Sequence, residues 1–247
     1  MAFRRGRELG AGKVVEFSVH RLLALPKAPM TIAEIRKLKF AVDKWIELLE
    51  TWIEVVTRED LRRDRIKVDR QGHSAFVWFD RGKEPGELMP GKKQLTIDFG
   101  ARLRMTPWQW GKMLAKASDG EPPPEAHVFL RDARHAMHTG HHRRSVLDSA
   151  TSTELSLAKL RDDYLLAESN PRLAAFVGRR ARHIDGIAKF LRDMGRDLPG
   201  GIKEEISDPR NVAIHAGQEL DEMTAGAALE KAEEVVDLAF PWKKLPQ

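Results

Sequence analysis

The chain of 247 residues contains no cysteine. Disulfides, thiolate metal sites and cysteine nucleophiles are therefore excluded, and we expect a reducing, cytoplasmic location. Long hydrophobic runs are also lacking, because Glu16, His20 and Arg21 interrupt the apolar stretch near the N-terminus. We therefore expect neither a signal peptide nor a membrane span. The sequence also has no Walker loop, no Ser-His-Asp arrangement and no HExxH motif, which argues against the enzyme classes that these patterns mark.

The composition is that of a soluble globular protein, with 42% hydrophobic and 32% charged residues. The formal net charge is +5, and the excess of Lys and Arg lies in residues 1–124. A basic first half suits an anion-binding or nucleic-acid-binding surface. An excess of this size is also common in ordinary soluble domains, so it supports such a surface only weakly.

A proline-rich segment at residues 118–125 (SDGEPPPE) divides the chain. Three consecutive prolines cannot continue a helix, so this segment is predicted to be a linker. Residues 1–117 are predicted to form a small α+β domain with strands near Val15–Val19, Ser74–Asp80 and Leu95–Leu103. Residues 126–247 are predicted to form a bundle of four to five helices. The fold class expected for the whole chain is therefore mostly α.

One long helix is predicted in the N-terminal half, beginning after Thr31 as its N-cap. Its apolar positions alternate at steps of three and four from Ile35 to Val56. This spacing fits a core helix under a sheet, the interpretation we favour, and it also fits a coiled-coil-like dimer surface.

The second half shows almost only helical patterns. Gly140 is predicted to make a tight turn between the first two helices, which should form an antiparallel hairpin. The predicted helices span Glu125–Thr139, His142–Ala167, Pro171–Gly195, Pro209–Ala216 and Thr224–Phe240.

The most informative segment is Asp208–Gly217 (DPRNVAIHAG). Asp208 is a strong N-cap residue followed by Pro209, and Gly217 can end a short helix about two turns later. Within that helix Asn211 and His215 share a face, since they lie four residues apart.

Arg210 is expected in the first turn of this helix, where free N–H groups and the positive end of the dipole favour a phosphate. A guanidinium, an amide and an imidazole close together suit phosphodiester chemistry without a metal. By itself an Arg-x4-His spacing also arises by chance in many helical proteins, so the surrounding pattern decides its meaning.

The order of features over Glu125–Phe240 resembles the HEPN superfamily (higher eukaryotes and prokaryotes nucleotide-binding domain). The features are a helix, a glycine turn, a long helix opening with basic residues, a third helix, the Arg-Asn-x-x-x-His segment and a closing helix rich in Ala and Glu. The resemblance implies a metal-independent endoribonuclease, commonly a toxin or an antiviral effector, whose active site forms across a homodimer. Other members only bind RNA or nucleotides, so a non-catalytic adaptor is the alternative.

By this resemblance Arg210 and His215 match the defining pair, and Asn211 matches the polar residue that usually follows the Arg. Glu154 falls where many members have an acidic residue on the second helix. An ordinary surface carboxylate on a helix is an equally good interpretation of this residue. RNA is the implied partner, with an antitoxin or regulatory protein as a further one, and no cofactor is implied. The N-terminal half resembles no family that we recognise.

Two further groups of residues invite a functional interpretation. Arg179 and Arg182, on the predicted third helix, could guide RNA to the site, although a solvated helix face is the more ordinary interpretation. His135 and His138 lie three apart, but Gly140 breaks the helix after them and no acidic ligand has suitable spacing. We therefore expect no metal site there.

Overall fold

The computed structural model describes residues 6–8, 14–17, 31–58, 60, 75–76, 89–90, 107–168, 176–177, 181–215 and 219–241. The chain divides into two compact units. One unit comprises Met1–Leu49 and Lys67–Gly120, and the other comprises Glu50–Ile66 and Glu121–Gln247. One boundary falls within the predicted linker at residues 118–125, and another falls within the first helix.

The N-terminal half contributes two helices and two short strand pairs to the described residues. They are α1 (Ile32–Thr57), α2 (Pro107–Ser118), β1 (Gly6–Glu8) antiparallel to β2 (Val14–Phe17), and β3 (Ala75–Phe76) antiparallel to β4 (Met89–Pro90). Within the described residues these strands form no larger sheet, so the α+β domain stays a prediction. The predicted strand at Leu95–Leu103 lies outside those residues.

The start of α1 is fixed by reciprocal capping. The Thr31 N–H donates to Glu34 Oε2 at 2.7 Å, and the Glu34 N–H donates to Thr31 Oγ1 at 3.3 Å. These bonds stabilise the ionised carboxylate and lower the pKa of Glu34. The predicted N-cap is therefore confirmed. Toward the end of α1 the apolar positions Leu49 and Trp52 are buried, as core packing requires.

The second unit contains a helical bundle. Its elements are α3 (Glu125–His138), α4 (His142–Ala167), α5 (Ile184–Asp193), a π-helix (Lys203–Ser207), α6 (Asp208–His215) and α7 (Glu222–Ala239). Gly140 lies between α3 and α4 with φ of 76°, a left-handed conformation that glycine adopts without a steric penalty. The predicted turn between these two helices is therefore confirmed.

Helix α4 is the centre of the bundle and packs against α3 and α7 over most of its length. Its buried stripe consists of small side chains at steps of four and three: Ser145, Ser149, Ser152 and Ser156. Helix α7 presents a similar stripe of Ala225, Ala228 and Ala232, each fully buried. Small residues on both sides let the helix backbones approach closely, which increases the number of dispersion contacts.

Most of the buried hydroxyls on α4 donate to backbone carbonyls. Ser152 Oγ donates to Ala126 O of α3 at 2.6 Å, and Ser156 Oγ donates to Ser152 O at 2.8 Å. The hydroxyls of Ser145 and Ser149 have no hydrogen-bond partner among the described residues. A buried hydroxyl without a partner opposes folding, because it has lost its bonds to water.

Ser149→Ala should therefore raise the free energy of unfolding by about 1 kcal/mol, since it removes an unsatisfied hydroxyl and improves helix propensity without changing packing. Ser156→Ala is the matched control, because that substitution removes a hydrogen bond and should leave stability equal or lower. Urea unfolding followed by circular dichroism measures both. A stability loss in Ser149→Ala as large as in the control would contradict the prediction.

A network of charged side chains joins the end of α1 to α3 and α7 within the second unit. Arg134 is 7% exposed, and its Nε donates to Glu233 Oε1 at 2.7 Å. The guanidinium of Arg58 contacts both oxygens of Asp237 at 2.7 Å and lies 3.3 Å from Glu233 Oε2. Arg58 follows α1 with φ of 58°, so this bidentate pair holds a residue in the left-handed region that terminates the helix.

The structure corrects three predicted helix boundaries. A continuous helix over Pro171–Gly195 was wrong, because residues 181–183 are not helical and α5 begins at Ile184. Asp208 is not an N-cap, because the chain is already helical before it and the Asp208 N–H bonds to the Lys203 carbonyl. The last helix begins two residues earlier than Thr224, since Asp221 is its N-cap and accepts from the Thr224 N–H at 2.8 Å.

His127 of α3 is buried near this charge network. Its pKa is lowered from 6.5 to about 4, mainly by burial and in smaller part by the nearby charges of Arg134 and Arg58, with Asp237 partly opposing them. The imidazole is therefore neutral in the folded chain at pH values where it is protonated in the unfolded chain. Burying the neutral imidazole of His127 therefore destabilises the folded state increasingly as the pH falls from 6.5 toward 4.

The free energy of unfolding should accordingly fall over this interval, and His127 should account for at most about 3 kcal/mol of the loss. His127→Gln removes the titrating group and should flatten that part of the profile. His183→Gln, at an exposed histidine, is the control. Unfolding measured in urea at several pH values distinguishes the two, and parallel profiles for His127→Gln and the wild type would contradict the assignment.

Candidate functional site

Helix α6 carries three of the predicted site residues on the surface of the second unit. Only Ala213 among its side chains is fully buried, whereas Asn211 and His215 are exposed. Val212 and Ile214 are also exposed, at 37% and 45%. The helix therefore presents an amide and an imidazole to solvent together with two apolar side chains.

The prediction that Arg210 lies at the free N-terminal end of a helix is wrong. Because α6 continues directly from the π-helix, Arg210 does not stand beside the free N–H groups of a helix start. The carboxylate of Asp208 instead binds Lys203 Nζ at 2.7 Å, and this pair raises the pKa of Lys203. Any preference of Arg210 for a phosphate must therefore come from its own guanidinium, without help from the helix dipole.

Arg210 and Glu154 are brought together although they lie far apart in the sequence. Arg210 Nη2 is 3.7 Å from Glu154 Oε2, and each side chain is 33% exposed. At this distance and exposure the pair is a weak ion pair, so the guanidinium can exchange the carboxylate for another anion at little cost. Asn211 and His215 lie on other sides of the helix, about 100° and about 140° around its axis from Arg210.

A cleft of about 300 Å³ opens beside Glu154. Its lining combines two arginines and one carboxylate with small and apolar groups: Thr151, Glu154, Leu155, Ala158, Arg161, Arg182 and Ile187. Arg161 Nη1 donates to the Ala181 carbonyl at 2.8 Å, which ties α4 to the segment before α5. The cleft therefore contains two predicted site residues, Glu154 and Arg182, in a partly cationic wall.

Arg182 lies on non-helical backbone rather than on the predicted third helix. Its side chain is exposed and lines the cleft described above. Arg179, the other residue predicted to guide the substrate, lies outside the described residues.

One neighbour of α6 was not found from the sequence. Arg143, in the first turn of α4, donates from Nε to the Ala213 carbonyl at 2.8 Å. Basic residues open α4 in the sequence, but no sequence spacing relates residue 143 to residue 213. Only the packing of α6 on α4 reveals this contact.

The histidines at the end of α3 have an acidic partner that the sequence did not indicate. Asp60 Oδ2 lies 2.8 Å from His135 Nδ1 and 3.5 Å from His138 Nδ1, and the Asp60 side chain is 2% exposed. This carboxylate comes from a residue more than seventy positions earlier in the chain. Within the described part of the chain, no group of three or more His, Cys, Asp or Glu side chains has an arrangement that could hold a metal ion.

The surface around α6 carries a cation and a group that can act as an acid or a base. Among the described residues no metal site accompanies them. Arg210 can stabilise a phosphate or a phosphorane-like transition state, and the exposed imidazole of His215 can donate or accept a proton. None of the helices described is both long enough and apolar enough to cross a membrane. The chain matches no protein family, curated protein or solved structure.

Proposed function

We propose that the chain is a metal-independent endoribonuclease of the HEPN type that works as a homodimer, as a toxin or a defence effector. The observation that most supports this is the contact between Arg210 and Glu154 at a cleft that Arg182 also lines. Arg161 and Arg182 give the wall of this cleft a partly cationic surface, which suits the phosphates of an RNA backbone.

The proposed reaction is attack of the ribose 2′-hydroxyl on the adjacent phosphate. A base removes the 2′ proton, the P–O5′ bond breaks as the new P–O2′ bond forms, and an acid protonates the departing 5′ oxygen. Arg210 stabilises the charge that develops on the phosphate oxygens. The products are a 2′,3′-cyclic phosphate and a free 5′-hydroxyl.

Within the described part of one chain, the residues around α6 do not provide a complete set of these groups. His215 points away from the Arg210–Glu154 pair, and one imidazole cannot serve as base and acid at the same moment. A two-fold dimer through α6 would bring two copies of His215 and two of Arg210 to one cleft. The exposed Val212 and Ile214 next to His215 favour such an interface, since apolar side chains gain from being covered.

Ile214→Asp should accordingly weaken the dimer at least about tenfold, because it introduces a charge into the apolar part of the interface. Leu166→Asp is the matched control, since Leu166 is 80% exposed on α4 and lies outside the proposed interface. Light scattering over a concentration series measures both variants. A dimer that resists Ile214→Asp but is lost on Phe40→Asp, at a 64% exposed position of α1, would instead place the interface on the exposed face of α1.

The purified chain should cleave single-stranded RNA in the presence of EDTA and leave 2′,3′-cyclic phosphate ends. His215→Ala and Arg210→Ala should each lower the rate at least ~10²-fold, the scale for losing an acid–base or charge-stabilising group. Both variants should stay folded, since neither side chain is fully buried. Arg196→Ala is the control for loss of an exposed arginine elsewhere in the second unit.

Mixed dimers of one wild-type and one His215→Ala chain should lose most of the activity if the two imidazoles act together. Cleavage that requires added Mg²⁺, or that survives both substitutions, would remove this mechanism. RNA binding that depends on Arg210 but leads to no cleavage would favour the second candidate, a non-catalytic RNA-binding adaptor. The separation of Arg210 and His215 within one chain is the observation that favours that candidate.

A further inference from the structure

Helix α6 is anchored at its start, because it continues directly from the π-helix, where Ile206 and Ser207 are buried. Beyond that start it has one fully buried side chain, that of Ala213, so its last turn has little packing of its own. The direction in which His215 points therefore depends on the contacts that other elements make with α6.

Arg143 makes such a contact at the end of α6 that carries His215. Its Nε–H donates to the Ala213 carbonyl at 2.8 Å. That carbonyl belongs to the last turn of α6, where carbonyl groups have no partner inside the helix. A cation at this position also interacts favourably with the negative end of the helix dipole. Arg143 thus caps the turn that contains His215.

The two contacts from α4 hold α6 near both of its ends. Arg143 and Glu154 lie about three helical turns apart on one face of α4, because eleven residues at 100° each return to nearly the same direction. Glu154 lies near Arg210, in the first turn of α6, and Arg143 binds Ala213 near the last. The order of contacts is reversed between the two helices.

We propose that Arg143 is a positioning residue for His215, which it orients through the Ala213 carbonyl. The expected loss of activity rests on the proposed ribonuclease function, whereas the expected change in the orientation of His215 does not. Losing the bond removes this cap, so the last turn frays more readily and the imidazole samples more directions. Such a change lowers turnover more than substrate binding, since alignment matters most in the transition state.

The test compares Arg143→Gln with Arg144→Gln in the full chain. Arg144 is the next residue on α4, is similarly exposed, and binds Asp148 Oδ2 at 2.6 Å instead of α6. The two variants therefore lose the same charge at nearly the same place. The measurements are kcat and KM on a single-stranded RNA oligonucleotide and the imidazole signals in two-dimensional NMR spectra, with the His215 signal assigned from His215→Ala.

Arg143→Gln should lower kcat at least ~10-fold and leave KM within about twofold, and it should shift or broaden the His215 imidazole signal. Arg144→Gln should change neither. An unchanged kcat and an unchanged His215 signal in Arg143→Gln would overturn the proposal. A raised KM with unchanged kcat would also overturn it, because Arg143 would then bind substrate directly.

The NMR measurement separates this proposal from the proposed function. If the wild-type chain cleaves no RNA, the ribonuclease proposal fails, yet a His215 signal that responds to Arg143→Gln alone still supports the positioning role. If Arg143→Gln does not fold, Arg143→Lys is used, since it keeps the charge but lacks the Nε–H that meets Ala213. That variant should show the same changes to a smaller extent, and an unchanged His215 signal would overturn the proposal.

Discussion

The close approach of α4 to its neighbours is the constraint on which the second unit depends. Serines form a buried stripe on α4 and alanines form one on α7, and the Ser152 hydroxyl reaches the Ala126 carbonyl, which requires the α3 and α4 backbones to lie close together. A larger residue at Ser152 would force the helices apart and would also break its bond to the Ala126 carbonyl. With the long helices fixed in this way, the short α6 can present most of its side chains to solvent without loss of the core.

Much of the helical structure was predictable because its signals are local. Proline and glycine mark the ends of α2 and α3, and the capping residue Thr31 together with Glu34 sets the start of α1. The missed break before α5 has a physical reason, since Arg179, Arg180 and Arg182 have adequate helix propensity and no breaker separates them. Tertiary contacts such as the Arg161 bond to the Ala181 carbonyl override that propensity.

The candidate site was predictable only where the family resemblance related distant residues. It related Glu154 to the Arg210 motif, and the two side chains are in contact. No sequence spacing relates Arg143 to Ala213 of α6 or Asp60 to the histidines of α3. Both contacts are therefore seen only once the helices are packed. The helix start expected at Asp208 failed for a related reason, since Asp followed by Pro is typical of an N-cap but is also compatible with a helix that has already begun.

The π-helix at Lys203–Ser207 determines how far α6 is rotated about its axis relative to the buried residues that precede it. In such a segment the hydrogen bonds run from residue i to i+5, as the bond from the Asp208 N–H to the Lys203 carbonyl does, so it holds one residue more than an α-helical turn. Removing that residue would allow an ordinary α-helix but would turn α6 by about 100° relative to the buried Ile202. Arg210 would then leave the side that faces Glu154. A single-residue deletion here would therefore keep the helix and lose the arrangement of side chains that it carries.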